Sequence, residues 1–348
     1  MSDDATSTTA DGRGPVVSRP TMKDVAARAG VGLKTVSRVV NGEAGVTPDT
    51  TERVRAAIEA LGFRRNDSAR VLRKGQTASI GLVLEDIGNP FYSTLARGVE
   101  DVAHTNGSLL FMGSSDEDPD RERTLTLAFC ARRVDGLIIV PAAKDHTYLL
   151  PETTAGIALV FVDRPAGLIE ADSVLSDNIG GAREGVTHLI RQGHSRIGYI
   201  GDAPHIYTAG QRLQGYKDAM AVAGLPTRPE WVAMAMPQQE IIRDALSRML
   251  DLPEPVTGLL CGNNRISVIV LRELAARGAS VATVGFDDFE LAELLSPGVT
   301  VVAQDPSQMG HIAADLLFRR LRGDRGPARR IELATRLVIR GSGEIPPP

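Results

Sequence analysis

From residue 78 onward the chain alternates short apolar runs with amphipathic helical patterns, and this alternation restricts it to a small set of folds. Runs of four or five residues with near-continuous hydrophobicity are typical of strands that are buried on both faces, as in parallel sheets. Such runs lie at 80–84, 109–112, 136–140, 158–162, 197–200, 232–236, 258–261 and 281–284. Two successive series of strands and helices predict two doubly wound α/β lobes, with a cleft at the carboxyl ends of the strands.

The helical patterns fill the gaps between these runs. Their apolar residues recur at the spacing that places them on one face of a helix. In the order of the chain, helices are predicted near 91–105, 120–131, 144–153, 180–192, 211–223, 240–250, 265–276 and 306–321. A body built from these elements is expected to bury both faces of each sheet beneath helices.

A different pattern precedes this body and predicts three short helices. Thr21 is the expected N-cap of the first helix, and Gly30 ends it. The second helix starts after Gly32 and ends near Asn41, and the third begins with Thr47 as its N-cap. Two short helices joined by a three-residue turn form a helix-turn-helix, whose second helix enters the major groove of DNA.

The second helix places apolar and polar side chains on opposite faces. Val36, Val39 and Val40 recur at helical spacing and are expected to pack inward. The opposite face carries side chains that can hydrogen-bond phosphates and base edges, namely Lys34, Thr35, Ser37 and Arg38. We therefore predict that this all-α head binds DNA through its second helix.

The net charge of −4 hides a basic N-terminal region attached to an acidic remainder. Residues 20–75 contain eleven Lys and Arg against six Asp and Glu, whereas residues 76–348 contain 26 against 34. This asymmetry fits one nucleic-acid-binding face and a body that DNA repels. The length of 348 residues, with 43% apolar and 24% charged residues, suits a small head joined to a larger globular α/β body.

The composition divides the chain into four predicted segments. Residues 1–19 are rich in Ser, Thr, Asp and Gly and are expected to form a disordered tail. Residues 20–65 form the predicted DNA-binding head, and 77–345 form the predicted two-lobed body for effector binding and dimerisation. Between them, 66–76 has the signals of a helix with Asn66 as N-cap, but about eight residues are too few for a stable isolated helix. This segment is either a plain basic linker or a hinge helix that folds only on DNA.

Several absences limit the function classes. There is no phosphate-binding P-loop and no Gly-x-Gly-x-x-Gly after a strand, and the six histidines have no metal-ligand spacing, so we predict neither an enzyme nor a bound cofactor. There is no signal peptide and no run of about 18 apolar residues, which predicts a cytoplasmic protein. Cys130 and Cys261 are accordingly expected to be buried free thiols.

Polar side chains follow the predicted strands at the edge where an α/β fold binds its ligand. They belong to Asn89, Asp163, Arg164, Asp177, Asn178, Arg212, Asn263, Asn264, Asp287, Asp288, Gln304 and Asp305, and the two aromatic residues Phe91 and Tyr92 lie beside Asn89. Taken singly, each has an ordinary explanation, such as a helix start or a local ion pair. Taken together, carboxylates, amides, guanidinium groups and an aromatic pair suit a neutral polyol that both donates and accepts hydrogen bonds.

Four motifs in the N-terminal quarter are specific enough to indicate a family. They are Thr21-Met22-Lys23-Asp24-Val25-Ala26, Ala29-Gly30-Val31, Thr35-Val36-Ser37-Arg38-Val39-Val40-Asn41-Gly42 and Ala69-Arg70-Val71-Leu72. With these motifs the chain resembles the lactose/galactose repressor family of transcriptional regulators from about Pro20 to Ser342. Gly32 departs from the pattern, because the family usually has a serine that caps the recognition helix. This departure should weaken the cap by a few tenths of a kcal/mol.

The resemblance implies roles for residues of the head and of the hinge. Base edges would be contacted by Leu33, Lys34 and Arg38, and the phosphate backbone by Thr21, Thr35, Ser37 and Asn41. The residue that matches Leu72 would wedge into a central base step of the minor groove, with Ala69 packed beside it, and Asn66 at the start of the hinge is also a predicted DNA contact. The body would have the fold of the type I periplasmic binding proteins, with three crossings between its lobes.

The resemblance also implies a set of sugar contacts in the cleft. These are Asn89, Phe91, Tyr92, Asp163, Arg164, Arg212, Asn263, Asp287 and Gln304, and the Asp163-Arg164 pair favours a sugar over a purine. Asn264 stands where the family more often has aspartate, so it keeps the hydrogen bonds but loses the charge.

The expected function is therefore a repressor that binds a palindromic DNA operator as a homodimer and responds to a small sugar. A dimer is favoured because no heptad segment follows Ser342. One alternative is the same regulator with a nucleoside, a purine or a protein partner as its effector. Another is a solute-binding receptor, against which the attached head argues.

Overall fold

The computed structural model describes residues 20–64 and 77–348. The chain divides into two compact units, Met1–Gly75 and Gln76–Pro348. The predicted tail at 1–19 and the predicted hinge lie outside the described residues, and so do three of the predicted DNA contacts, Asn66, Ala69 and Leu72.

The first unit contains the three predicted helices, α1 (Met22–Ala29), α2 (Leu33–Asn41) and α3 (Pro48–Leu61). The Thr21 hydroxyl accepts a hydrogen bond from the backbone N–H of Asp24, and the Thr47 hydroxyl does the same for Thr50. Gly32 provides no side-chain cap for α2. The helix prediction for the head is therefore confirmed, including the uncapped start of the second helix.

A small apolar core holds these helices together. Val25 of α1, Val36 of α2 and Val54 of α3 are fully buried against one another, and Val39 and Val40 pack at the edge of this cluster. A hydrogen bond also links α3 to α1, because Nη2 of Arg53 donates to the carbonyl of Ala29 at 2.7 Å. That carbonyl lies in the last turn of α1, where helix carbonyls lack intrahelical partners.

The second unit contains two six-stranded sheets, each in its own lobe. The strands are β1 (Ser79–Leu84), β2 (Leu109–Ser114), β3 (Gly136–Ile139), β4 (Ala158–Val162), β5 (Asp172–Ser176), β6 (Ile197–Gly201), β7 (Val232–Met234), β8 (Gly258–Cys261), β9 (Ala282–Phe286), β10 (Thr300–Ala303), β11 (Arg330–Leu333) and β12 (Arg336–Val338). The first sheet has the order β11-β5-β4-β3-β1-β2 and is parallel throughout, and the second has the order β12-β10-β9-β8-β6-β7, with only β12 antiparallel. This is the predicted pair of doubly wound lobes.

Helices cover the sheets as expected. They are α4 (Pro90–Thr105), α5 (Pro119–Ala131), α6 (Leu150–Thr154), α7 (Asn178–Arg191), α8 (Tyr207–Val222), α9 (Gln239–Leu250), α10 (Asn264–Arg277) and α11 (Pro306–Leu321). Both cysteines are free and buried, as predicted. The helix predicted at 144–153 is present but begins later, because a 3-10 turn at Thr147–Leu149 leads into an α-helix that begins only at Leu150. Pro151 lies in its first turn, the part of a helix where the missing N–H of proline is tolerated.

Four strands were not predicted, and β5 shows why. Its sequence is Asp-Ser-Val-Leu-Ser, which lacks the continuous apolar run of a buried strand, yet all five residues are buried. Asp172 is accommodated because Arg320 donates two hydrogen bonds to its carboxylate, at 2.7 and 2.8 Å. The other three, β10, β11 and β12, have only three or four residues each. A polar strand leaves no local signal in the sequence when the residue that neutralises its buried aspartate is 148 positions away.

The chain crosses between the lobes three times, after β5, after β10 and after β11. The second crossing brings α11 back to the first lobe, where it packs on α4 with backbones in contact. A Cβ atom at Gly310 of α11 would lie 2.2 Å from the carbonyl oxygen of Leu95, and one at Gly98 of α4 would lie 2.4 Å from that of Ser307. Because both helices begin at the cleft, with Pro90 in α4 and Pro306 in α11, this close crossing positions cleft residues.

Candidate functional site

Two aspartates occupy equivalent positions in the two lobes. Asp163 directly follows β4 and Asp287 directly follows β9, and both have left-handed backbones, with φ of 68° and 69°. The N–H of Asp163 donates to the carbonyl of Val174 in β5, and that of Asp287 to the carbonyl of Val302 in β10, both at 2.9 Å. Aspartate is among the few non-glycine residues that adopt this conformation readily. Each lobe thus presents a carboxylate from a fixed strand end to the same cleft.

The cleft between the lobes has a volume of about 430 Å³, part of it open to solvent. Nine predicted ligand residues line it, and the tenth, Asn264, does not: the nine are Asn89, Phe91, Tyr92, Asp163, Arg164, Arg212, Asn263, Asp287 and Gln304. Two acidic residues of the wall, Glu85 and Asp202, are not among the residues predicted from the sequence. Each directly follows a strand, β1 and β6 respectively, so the strand-end rule that found the aspartates could have found these as well.

Arg164 is buried in the first lobe, and its positive charge is balanced by the carboxylate of Glu117. Its two terminal nitrogens donate to the two carboxylate oxygens of Glu117, and one of them also donates to the carbonyl of Pro141 at 2.8 Å. Its Nε lies 3.5 Å from the Asp163 carboxylate and is a buried donor without a hydrogen-bond partner among the described residues. The Arg164 side chain is therefore held rigidly, with one buried N–H that no described residue satisfies.

Arg212 of α8 plays a similar part in the second lobe. Its Nε donates to Oδ1 of Asn178 at 2.7 Å, and its Nη1 donates to the carbonyl of Gly262 at 2.6 Å and lies 3.4 Å from Oδ2 of Asp287. The guanidinium also lies over the ring of Phe286, 3.8 Å from its centre. Arg212 thereby connects α7, α8 and the ends of β8 and β9 at one point in the cleft wall.

Gln304 extends this network towards the crossing after β10. Its Nε2 donates to Oδ1 of Asp287 at 2.5 Å, while its Oε1 is buried and accepts no hydrogen bond from the described residues. Asp202 and Asn263 form another fixed pair, because Nδ2 of Asn263 donates to Oδ2 of Asp202 at 2.8 Å. The wall therefore combines carboxylates with both unpartnered donors and unpartnered acceptors.

Asn264 joins the two lobes instead of lining the cleft. Its Nδ2 donates to Oδ1 of Asn89 at 2.9 Å, and that oxygen also accepts from the N–H of Phe91 at the start of α4. The neighbouring Arg265 approaches the first lobe too, with Nη1 at 3.6 Å from Glu85. These contacts hold the start of α10 against the end of β1 and the start of α4.

The acidic pair beside Arg164 has unusual protonation. Burial, together with the charge of Glu117, raises the pKa of Glu85 to about 8. Burial also acts to raise the pKa of Glu117, but its hydrogen bonds with Arg164 and the charge of that guanidinium outweigh this and lower it. Burial and the charges of Glu85 and Asp163 raise the pKa of Tyr92, so its hydroxyl stays protonated and donates to Asp163 at 3.4 Å.

The raised pKa of Glu85 gives a pH-dependent stability. A carboxyl whose pKa rises from 4.5 to about 8 on folding stabilises the body fully below pH 4.5, and this contribution is lost as the pH rises towards 8. We expect Glu85→Gln to remove this loss and to raise the free energy of unfolding at pH 9 by several kcal/mol relative to the unmodified chain, since each unit of pKa shift corresponds to about 1.4 kcal/mol. Thermal unfolding between pH 5 and pH 9 measures it.

The control for this experiment is Glu100→Gln, which removes an exposed carboxylate from α4. It should leave the slope of melting temperature against pH unchanged. If the Glu85 variant lost stability with rising pH as steeply as the unmodified chain, the burial of Glu85 would not be the source of the effect.

The head presents its own candidate surface on α2. Leu33 is an apolar side chain with 47% of its area exposed in the first turn, beside exposed Lys34. Thr35, Ser37 and Arg38 are partly buried. Leu33 lies outside the apolar core of the head, so packing within the head does not account for an apolar side chain at this position.

Two further predicted contacts of the head are held by local hydrogen bonds. The Thr21 hydroxyl donates to the Asp24 carboxylate at 2.7 Å, and the Asn41 amide donates to Ser37 at 3.4 Å and to Glu43 at 3.1 Å. Thr21 and Asn41 lie next to the start of α1 and at the end of α2, so both flank the helix-turn-helix.

The described residues contain no group of three or more His, Cys, Asp or Glu that could hold a metal ion. The helices within 20–64 and 77–348 are also too short or too polar to span a bilayer. The arrangement in the cleft is suited to binding a molecule rich in hydroxyl groups through hydrogen bonds.

Comparison with known proteins relates both units to regulators. Residues 21–66 match the family described as bacterial regulatory proteins, lacI family, and residues 186–343 match a periplasmic binding protein-like domain. The transcriptional regulator CelR of Thermobifida fusca is 33% identical over 336 residues, which cover 93% of this chain and 98% of that protein.

Two solved structures extend the comparison. The complex of the regulator CelR with cellobiose has a TM-score of 0.69 and 31% identity, and it covers 93% of this chain and 100% of that one. The lac repressor dimer bound to its operator has a TM-score of 0.82 at 24% identity and covers 94% and 99%, so it shares the fold.

Proposed function

This chain belongs to the lacI family of bacterial regulatory proteins, and we propose that it is a transcriptional repressor whose grip on an operator is controlled by a small sugar bound between its lobes. In this proposal residues 20–65 bind DNA, 66–76 connect the head to the body, and 77–345 bind the effector and pair two chains. The relatives with cellobiose and with operator DNA in their solved structures support a sugar-controlled regulator of this kind.

The observation that carries the sugar assignment is the mixture of unpartnered polar groups in the cleft. Arg164 offers a buried N–H and Gln304 a buried amide oxygen, neither with a hydrogen-bond partner among the described residues. Asp163, Asp202 and Glu85 add carboxyl groups. A sugar hydroxyl can donate to one of these groups and accept from another, so a polyol satisfies donors and acceptors at once.

The charged groups of the cleft disfavour phosphorylated effectors. Arg164 is engaged by Glu117, and Arg212 by Asn178, Gly262 and Asp287, so neither guanidinium is free to neutralise a phosphate. A phosphorylated ligand would place its charge among carboxylates, at a cost that grows as water is excluded. A neutral sugar carries no such cost.

DNA binding rests on α2 and can be tested by one substitution. Lys34→Ala removes an exposed cation from the predicted reading face, and we expect operator affinity to fall about 10–100-fold, the effect of a lost base contact. The measurement is fluorescence anisotropy at fixed salt, on a duplex selected from a random library by the full chain.

Arg55→Ala is the matched control, since it removes one exposed positive charge from α3. It should change affinity by less than about threefold, a difference of roughly 0.6 kcal/mol. Equal losses for the two variants would show that α2 attracts DNA only through net charge, and the assignment of a reading helix would be wrong.

The effector is tested by thermal shift with pentoses, hexoses, disaccharides and nucleosides, repeated with operator bound. A saturating ligand at 100 times its Kd stabilises the body by about 2.7 kcal/mol. We expect a sugar to raise the melting temperature and to change operator affinity. A shift with nucleosides alone would replace the sugar in this proposal, and no operator-linked shift with any compound would contradict effector control.

A further inference from the structure

Asp135 lies directly before β3 and contacts the backbone where β1 begins. Its Oδ1 accepts a hydrogen bond from the backbone N–H of Thr77 at 2.7 Å, and its Oδ2 accepts one from the N–H of Ser79 at 3.3 Å. The Thr77 hydroxyl also donates to Oδ1, at 3.2 Å. One carboxylate therefore holds the backbone on both sides of Ala78.

Ala78 has a backbone conformation that depends on such contacts. Its φ of 52° lies in the left-handed region, which alanine adopts only at an energetic cost. Its carbonyl accepts a hydrogen bond from the N–H of Leu109 in β2 at 2.9 Å. A strained residue persists only where its surroundings fix it, and here Asp135 and β2 do so. The chain therefore turns at Ala78 in one fixed direction.

The backbone of Asp135 is itself fixed within the first sheet. Its N–H donates to the carbonyl of Ser79 at 2.8 Å, and its carbonyl accepts from the N–H of Ala158 at 3.2 Å. Gly136, the next residue, pairs with Ile80 of β1 on one side and with Ala158 of β4 on the other. The carboxylate that holds Thr77 thus belongs to an inner strand and cannot move independently of the lobe.

The strands β1 and β3 also connect this point to the effector cleft. Glu85, which follows β1, lines the cleft, and the carbonyl of Pro141, two residues after β3, accepts a hydrogen bond from Arg164 at 2.8 Å. Because β1 and β3 are paired with each other, the cleft wall and Thr77 move as one body when the lobes change their arrangement. Rigid secondary elements of this kind can carry coupling between distant sites.

We propose that Asp135 is a positioning residue for operator binding, which fixes the direction in which the chain leaves the first lobe towards the head. The inference rests on the proposed function, in which residues 66–76 connect the head to the body and two paired chains bind one operator. Thr77 directly follows this connection, so its orientation determines how the connection starts. A fixed start raises the effective concentration of the second head once the first has bound DNA.

The test compares Asp135→Ala with the unmodified full chain on two duplexes, by fluorescence anisotropy at fixed salt. One duplex is the palindromic operator selected by the full chain, and the other has one half-site scrambled, so that only one head binds specifically. We expect the substitution to weaken operator binding at least about tenfold and half-site binding less than about twofold. The two differ because only binding through both heads depends on how the connection starts.

Asp315→Ala is the matched control, since it removes one exposed carboxylate from α11, which packs on the first lobe. It should leave both affinities unchanged. Asp135→Asn keeps one acceptor oxygen for Thr77 and should weaken operator binding by about threefold. If the alanine variant does not fold, the same comparison is made with the asparagine variant.

The outcomes separate this inference from the function on which it rests. Unchanged operator affinity in the folded Asp135 variant, or equal losses on the two duplexes, would overturn the positioning role while the proposed function stands. An unmodified chain that bound the operator no more tightly than the half-site duplex would contradict the proposed function itself.

Discussion

Arg212→Ala is expected to abolish the response to effector while the head still binds operator. The substitution removes the hydrogen bonds to Asn178 and Gly262, the contact with Asp287 and the stacking on Phe286. It leaves the buried Asp287 carboxylate without its cation, a change that costs about 3–5 kcal/mol in comparable buried pairs. Effector affinity should fall at least about 100-fold, a loss of roughly 2.7 kcal/mol, measured by calorimetry with the sugar found in the screen.

Two companion variants separate the chemistry from general damage. Lys217→Ala removes an exposed cation from the same helix and should leave both binding and melting temperature unchanged. Arg212→Lys keeps the charge but lacks the planar fork that reaches Asn178 and Gly262 together, so it should restore little of the affinity. An Arg212→Ala protein that released operator at the usual sugar concentration would show that the cleft assignment is wrong.

Gly310→Ala is expected to destabilise the body severely although it adds a single methyl group. The new Cβ would lie 2.2 Å from the carbonyl oxygen of Leu95, which belongs to the backbone of α4 and cannot rotate away. The helices must separate, at a cost of about 3 kcal/mol. This corresponds to a fall in melting temperature of about 5–10 °C for a unit of this size. Because α4 and α11 both begin at the cleft, effector affinity should fall as well.

Gly210→Ala provides a control of opposite sign. Gly210 is also helical, in α8, but a Cβ there would meet no atom within 4 Å. Alanine loses less backbone freedom than glycine on folding, so this variant should be more stable by about 0.5–1 kcal/mol. If the two alanine variants melted at similar temperatures, backbone contact between α4 and α11 would not limit the stability of the body.

Local signals in the sequence predicted the elements well and the links between distant elements poorly. Caps at Thr21 and Thr47 and the continuous apolar strands are determined by neighbouring residues, so they could be identified without tertiary context. The strand-end rule placed Asp163 and Asp287 at the cleft because the carboxyl ends of parallel strands meet there. The same rule applies to Glu85, which directly follows β1.

The remaining features depend on contacts between residues that are far apart in the chain. Arg164 and Glu117 are separated by 47 positions, and Asn264 and Asn89 by 175. Periodicity does not reveal which carboxylate will neutralise a buried guanidinium, or that a predicted ligand amide will bond to the other lobe. These pairings follow from the arrangement of the sheets and the three crossings between them, which a single sequence does not specify.

Asp163 and Asp287 lie at equivalent strand ends in the two lobes, and this arrangement affects which sugars can change operator binding. Each carboxylate is fixed to its own sheet by a backbone hydrogen bond, so the spacing between the two depends only on how the lobes are arranged. A ligand long enough to bond both therefore binds one arrangement better than another, and that difference is the free energy available for control. A compound that contacts only one lobe binds every arrangement equally, so even tight binding of it would leave operator affinity unchanged.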